Sequence, residues 1–197
     1  MANKRITVLN GHPGQTSLSR EFAETYATAA RQAGHEVRLI HLPDLDFDMD
    51  YGKGGYKDPK PLEPDIEAVM EVFELAEHIV LATPLWWGSM PARLKGLLDR
   101  ILLPGRTFDT RNPNMFGLPA PMLTGRTARV IVTSDSPRLY LRFAHGDAML
   151  RQIRGQIFGF IGIKPTRFTY FYGASHPKRG QVARWTETVR DIASKGA

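Results

Sequence analysis

Five short strand-like runs, each followed by a stretch with helical spacing, constrain the fold of this chain more than any other feature. We predict strands one to five at residues 5–9, 36–42, 79–82, 129–133 and 167–172. Helical patterns follow them, among them one over about 140–160 and one for which Asp65 is the expected N-cap. Strands that alternate with helices in this way usually form one parallel sheet. The sequence therefore predicts an α/β fold with a doubly wound five-stranded parallel sheet and helices on both faces.

The length of 197 residues fits a single domain spanning residues 1–197. Two long segments without clear periodicity interrupt the alternation, at about 43–64 and 103–127. Loops of this length are more often functional or mobile than simple connections.

Composition excludes several classes of protein. The chain has no cysteine, which excludes disulfides, iron–sulfur clusters and thiol catalysis. Its first apolar run is too short for a signal peptide or a membrane span, so we expect a cytoplasmic protein without membrane insertion. The net charge of +6 indicates either a solvated basic surface or attraction to anionic ligands such as nucleotide phosphates. The charge is scattered and zinc-finger spacing is absent, so neither nucleic-acid binding nor a metal site is expected.

The loop after predicted strand three is flat and aromatic. An apolar run ends at Thr83, and the chain continues as Pro84-Leu85-Trp86-Trp87-Gly88 before a helical pattern begins at Pro91. Such a loop at the end of a strand suits a flat ligand. The two tryptophans are equally compatible with a place in the core or in a dimer interface, where aromatic residues are common.

The loop after predicted strand one is rich in turn residues and opens a helix. Thr16 and Ser17 either cap that helix or, together with its free backbone N–H groups, bind an anion. His12 is either part of this site or an ordinary loop histidine bonded to the backbone. Gly11 and Gly14 do not complete the dinucleotide fingerprint, and the phosphate-loop motif is absent, which disfavours nucleotide hydrolysis.

Strand order decides whether these two loops meet. Open α/β sheets bind ligands beyond the carboxyl ends of the strands, where the strand order reverses. In the order 2-1-3-4-5 that point lies between strands one and three, so the two loops would be neighbours. A phosphate site beside a flat aromatic loop predicts a flavin nucleotide.

The same residues carry a family resemblance. Gly11-His12-Pro13 with Thr16-Ser17-Leu18, the stretch from Thr83 to Gly96, and His145-Gly146-Asp147 together resemble the flavodoxin-like NAD(P)H:quinone oxidoreductases. The quinone-reductase, drug-modulator and potassium-efflux ancillary types are the branches that it resembles most. The resemblance implies a flavodoxin-like fold and a homodimer with its sites at the interface. It also implies a ping-pong transfer of a hydride from NADH or NADPH, through FMN or FAD, to a quinone or similar aromatic acceptor. FMN is favoured because the chain lacks the C-terminal extension of the larger quinone reductases.

Site residues are carried over from this resemblance by position. The implied cofactor-binding residues are His12, Thr16, Ser17, Leu18, Pro84, Leu85, Trp86, Trp87, Gly88, Thr133, Ser134 and Asp135. Tyr140 and His145 are the implied catalytic residues, placed near the flavin atoms where negative charge develops on reduction. Their alternatives are packing against the sheet for Tyr140 and a helix-terminal role for His145.

This chain departs from the family at two of these positions. Asp135 stands in a loop that carries Thr-Thr-Gly-Gly in many relatives, and a carboxylate there opposes a negative flavin unless it is paired or turned away. Tyr140 lies one residue from the family spacing. Outside the resemblance, Phe108 and Phe116 of the second long loop are candidate walls of a substrate pocket, or simply loop anchors.

Two other functions fit the same fold. One is an electron carrier of the flavodoxin kind, which has a protein partner and no small substrate. The other is a redox-sensing ancillary subunit of a transport system. Direct turnover of NAD(P)H distinguishes the enzyme from the carrier, and stable binding to a transport protein favours the ancillary subunit.

Overall fold

A five-stranded parallel sheet forms the centre of the computed structural model, which describes residues 3–52, 59–111 and 113–196. The strands that build it are β1 (Arg5–Asn10), β2 (Glu36–His41), β3 (His78–Pro84), β6 (Thr127–Ser134) and β7 (Thr166–Tyr172). Their order is β2-β1-β3-β6-β7. Predicted strands four and five correspond to β6 and β7, so the predicted order 2-1-3-4-5 is confirmed.

Helices cover both faces of the sheet, as predicted. Their bounds are α1 Leu18–Gln32, α2 Pro64–Leu75, α3 Ala92–Ile101, α4 Arg138–His145, α5 Ala148–Arg151 and α6 Gln181–Ala193. Phe22 and Tyr26 of α1 and Val189 of α6 share one core cluster with the sheet, and α2, α3 and the segment after α5 share the other. All seven residues of β3 are buried because both faces are covered, which explains its continuous apolar run.

The helix predicted over about 140–160 is not continuous. Gly146 and Asp147 both have positive φ angles, 60° and 52°, and separate α4 from α5. The amide groups of these two residues close α4 by hydrogen bonds to Arg142 and Leu141. A π-helical segment, Gln152–Gly159, then follows α5.

We predicted Asp65 as the N-cap of α2, and this prediction is wrong. The cap position is Glu63, which makes no side-chain cap, and Pro64 occupies the first turn. The Asp65 carboxylate instead accepts a hydrogen bond from the amide of Asp46, 2.7 Å away. A backbone amide from a distant loop segment thus binds the carboxylate that local capping would have used.

The two predicted long loops contain some regular structure. A 3-10 turn, Leu42–Asp44, begins the first, and residues 53–58 of that loop lie outside the described residues. The second contains an antiparallel pair, β4 (Phe108–Asp109) with β5 (Ala120–Pro121), and its residue Asn112 is likewise outside them. In the described part of the chain, no helix has the length and apolar character needed to cross a membrane.

Candidate functional site

The loops that follow β1 and β3 lie side by side at the carboxyl edge of the sheet. Asn10 pairs with Ala82 in the strand register, and the amide of Gly11 donates to the carbonyl of Ala82 over 2.8 Å. The rings of His12 and Trp86 then meet edge to face, with centroids 5.3 Å apart. The strand order therefore brings the two unusual loops of the sequence into contact, as predicted.

Ser17 caps the first helix, and the helix N-terminus stays open beside it. The Ser17 hydroxyl accepts a hydrogen bond from the amide of Arg20 over 3.0 Å, which confirms the capping interpretation. The first amides of any helix have no intrahelical acceptors, so those of Leu18 and Ser19 remain available for a ligand. Together with the helix dipole they form a site for an anion.

His12 makes local hydrogen bonds that fix the loop. Its Nδ1 accepts from the amide of Gly14 over 2.9 Å, and its own amide donates to Asn10 Oδ1 over 3.1 Å. In neutral His12 the ring proton is therefore on Nε2. The interpretation as a loop histidine bonded to the backbone is correct, and the ring still borders the site.

A narrow cleft of about 240 Å³ lies at the start of α1. It brings together the predicted residues 12, 16–18, 84–86 and 133–135. Ser19, Ala174 and Ser175 complete its wall. Residues from four loops, which follow β1, β3, β6 and β7, thus meet at one place.

A wider cavity of about 580 Å³ adjoins this cleft and shares Leu85, Ser134 and Asp135 with it. Trp87, Gly88, Tyr140 and His145 also line the wide cavity. The rings of Tyr140 and His145 are in edge-to-face contact, with centroids 5.4 Å apart. The break after α4 turns the chain back, so that residues on both sides of it reach the wide cavity.

Trp87 stands at the tip of a tight turn. Trp86 and Ser89 exchange backbone hydrogen bonds of 2.8 and 2.9 Å, and the two residues between them have φ angles of 52° and 78°. Positive φ at both central positions defines a type I′ turn, which Gly88 favours and Trp87 does not. The Trp87 side chain is fully exposed, at 104%, so Trp87 is not a core residue of this chain.

Asp135 is hydrogen-bonded to the loop after β7, which orients its carboxylate but does not neutralise it. Its carboxylate accepts two hydrogen bonds from Ser175, one from the amide and one from the hydroxyl, both of 2.7 Å. These bonds hold the pKa of Asp135 below its usual value, with a smaller contribution from the charge of His176. The side chain is therefore held as a carboxylate by the loop after β7.

The two phenylalanines proposed for a substrate wall lie elsewhere. Phe108 is buried in the β4–β5 hairpin, where its ring meets that of Phe160 with centroids 5.2 Å apart. It borders a third cavity of about 570 Å³ between α3 and the π-helical segment. Phe116 is exposed and lines neither the narrow cleft nor the wide cavity. The hairpin turns Phe108 inward to cover the core, so this ring is not free to face the site.

The sequence did not predict three residues of the narrow cleft, namely Ser19, Ala174 and Ser175. Ser19 is buried and lies 3.5 Å from the hydroxyl of Thr133. The signal for the other two was the turn-rich segment Gly173-Ala174-Ser175, which follows the last predicted strand at the same edge of the sheet.

The residues present fit a flavin mononucleotide. The amides and hydroxyls at the start of α1 suit the phosphate, because they are donors aligned with the positive end of a helix. The wide cavity suits a planar ring, since its lining includes the aromatic turn at Trp87 and the ring of Tyr140. The shared residues connect the two spaces as a phosphate and ring of one ligand require.

Comparison with known proteins agrees with this assignment. A family model described as a flavodoxin-like fold matches residues 4–192. The chain is 29% identical over 161 residues to an FMN-dependent NADH:quinone oxidoreductase of Cereibacter sphaeroides, covering 82% of this chain and 72% of that protein. It is 26% identical over 199 residues to NAD(P)H dehydrogenase [quinone] 1 of Rattus norvegicus, covering 89% of this chain and 71% of the relative.

Among solved structures, the chain is similar to an NAD(P)H:quinone oxidoreductase from Methanothermobacter marburgensis. The TM-score is 0.80 at 20% identity, and the match covers 100% of both chains. At that identity the likeness supports the fold alone. The predicted flavodoxin-like architecture is confirmed by both kinds of comparison.

Proposed function

The chain belongs to the flavodoxin-like fold family, and from this membership we propose that it is an FMN-dependent NAD(P)H:quinone oxidoreductase. When bound, FMN would accept a hydride from NADH or NADPH and pass two electrons to a quinone or similar flat acceptor. Both flat substrates would use the wide cavity in turn, which gives ping-pong kinetics. The observation that carries this proposal is the junction of an open helix N-terminus with an aromatic-walled cavity.

The residues of the chain have distinct parts in this proposal. The start of α1, with Thr16 and Ser17, would hold the phosphate. The turn at Trp87 would position the ring and exclude water from one of its faces. Tyr140 and His145 would donate hydrogen bonds to the flavin side where negative charge develops, which favours the reduced form.

A homodimer with the site at its interface belongs to the same proposal. Large apolar side chains are exposed near the wide cavity and on the segment after β4; they are Leu139, Phe143, Met115, Phe116 and Leu118. Exposed apolar surface of this extent is typical of a protein interface. In such a dimer Phe116 would be free to reach the partner's cavity. Size-exclusion chromatography with light scattering measures the state directly, and a monomer at micromolar concentration would contradict it.

We also propose that the whole chain, residues 1–197, is one domain and acts in the cytoplasm. NAD(P)H is a cytoplasmic reductant, and the chain has no cysteine that could form a disulfide. A single cooperative unfolding transition is expected for one domain. Two separate transitions would contradict this.

One experiment tests the activity. The purified protein is heated, the released cofactor is identified, and oxidation of NADH and NADPH is followed with a panel of quinones. We expect FMN and direct turnover without a second protein. A preparation that binds no added FMN would refute the proposal, and FMN binding without NAD(P)H turnover would favour the electron carrier.

A further inference from the structure

The contact between Asp135 and Ser175 lies at the boundary between the narrow cleft and the wide cavity. We propose that Asp135 acts as a fixed negative charge that lowers the reduction potential of a flavin bound there, and that Ser175 is the positioning residue that holds this charge. This inference rests on the proposed function. It assigns a role in tuning the flavin to a residue at which this chain departs from many relatives.

The geometry of the contact keeps the charge in place. Each carboxylate oxygen of Asp135 accepts one hydrogen bond of 2.7 Å from Ser175, one from its amide and one from its hydroxyl. Because the two donors bind different oxygens, they define the orientation of the carboxylate. Ser175 is anchored in turn, since the amide of its neighbour Ala174 donates to the carbonyl of Ser134 over 3.2 Å.

The donors orient this charge without cancelling it. Both Ser175 groups are neutral dipoles, and none of the ion pairs among the described residues includes Asp135. The charge that contributes to the lowered pKa of Asp135 is that of His176, and its effect is smaller than that of the hydrogen bonds. A net unit of negative charge therefore remains at a position that lines both spaces.

Such a charge acts differently on the two redox states of the cofactor. Two-electron reduction adds negative charge to the ring system, so a neighbouring carboxylate disfavours the reduced form more than the oxidised one. Its repulsion of the phosphate is the same in both states and cancels in their ratio. The carboxylate thus makes the bound flavin a stronger reductant.

Redox titration of the FMN-loaded protein against a reference dye tests this inference, with Asp135→Asn as the main variant. A unit charge acting over about 10 Å in a partly exposed site changes the binding ratio of reduced to oxidised flavin roughly three- to tenfold. Removal of the charge in Asp135→Asn should therefore raise the midpoint potential of this two-electron couple by about 15–30 mV. Asp135→Gly also lacks the charge and should show a rise of similar size. It serves as the second variant if asparagine disturbs the loop.

Two further variants separate charge from structure. Ser175→Ala removes the hydroxyl donor but keeps the carboxylate and the amide donor, so it should not raise the potential at neutral pH. It should move the pKa of Asp135 upward toward its usual value, which the pH dependence of the potential reports. Asp191→Asn removes a carboxylate from an exposed position of α6 that lines neither space, and should leave the potential unchanged.

Two results would overturn the inference: an unchanged potential in both Asp135 variants, or an equal rise in Asp135→Asn and Ser175→Ala. The second result would mean that the contact matters only as a structural tie. If the unaltered protein binds no FMN, the proposed function itself fails and no titration takes place. That failure is therefore distinguishable from an unchanged potential in the loaded variants.

Discussion

Trp87 offers a test in which fold stability and ligand binding move in opposite directions. Its side chain is 104% exposed and its φ angle is 52°, so it contributes strain to the turn without contributing to the core of the chain. Replacement by alanine keeps the strain, whereas replacement by glycine removes it. Both replacements remove the same ring from the wall of the wide cavity.

The size of each effect follows from these facts. A left-handed conformation costs a non-glycine residue about 1–2 kcal/mol, and the extra freedom of glycine in the unfolded chain takes back about 0.5–1 kcal/mol. Trp87→Gly should therefore stabilise the fold by about 0.5–1 kcal/mol. In a chain of this size each kcal/mol raises Tm by roughly 2–4 °C. Trp87→Ala should leave stability nearly unchanged, because no buried area is lost.

Binding should fall equally in both variants. Loss of one aromatic contact is worth about 0.5–1.5 kcal/mol, which corresponds to roughly a 2- to 12-fold rise in the Kd for FMN or in the KM for NAD(P)H. Thermal unfolding of the apoprotein measures the first effect, and flavin fluorescence quenching with steady-state kinetics measures the second. Full FMN content and normal KM values with lost turnover would refute the role of the ring in positioning. A large destabilisation by alanine would show instead that the ring is buried, for example in a dimer.

Three other perturbations have defined outcomes. Ser17→Ala should cost about 1 kcal/mol of stability through the lost cap and weaken FMN binding, whereas a stable variant with unchanged FMN affinity would place the phosphate elsewhere. Arg100 is buried and donates to the carbonyls of Asp48 and Pro61 as well as to Glu63, so Arg100→Ala, which leaves these acceptors unpaired, should cost about 3–5 kcal/mol in urea unfolding; a loss below 1 kcal/mol would contradict this. Burial lowers the pKa of His78 to about 3, below its unfolded value, so stability is complete above about pH 6.5 and falls as the pH decreases toward 3. At pH 5 the loss from this residue should be about 2 kcal/mol, and it should be absent in His78→Gln, which keeps a partner for Thr127; an identical pH profile in that variant would exclude His78 as the cause.

The pattern of the chain is sufficient to predict the sheet and its binding edge. Continuous apolar runs such as that of β3 occur where both faces of a strand are covered, and the alternation with helices then leaves few topologies. Capping by Ser17 is also readable, because it depends on residues three positions apart. These features are local or periodic, so the amino-acid order alone determines them.

The break between α4 and α5 is not readable in this way. The helical spacing continues across Gly146 and Asp147, and both residue types tolerate the left-handed conformation without requiring it. The folded chain holds both residues in that conformation, with their amides bonded to the carbonyls of Arg142 and Leu141, and so turns there. That turn is what places Tyr140 and His145 on the wall of the wide cavity.

Side-chain partners far apart in the sequence depend on the tertiary structure alone. Ser175 lies forty positions from Asp135, and Asp65 meets the amide of Asp46 in preference to capping its own helix. Phe108, a candidate pocket wall from its place in a long loop, is instead buried in the β4–β5 hairpin. The sequence determined the strands, the helices and the loops between them, because these follow from periodic patterns, and its family resemblance supplied the strand order that brings two of the loops together. The fold decided which side chains pair across them, because hydrogen bonds and packing depend on distances that no local pattern encodes.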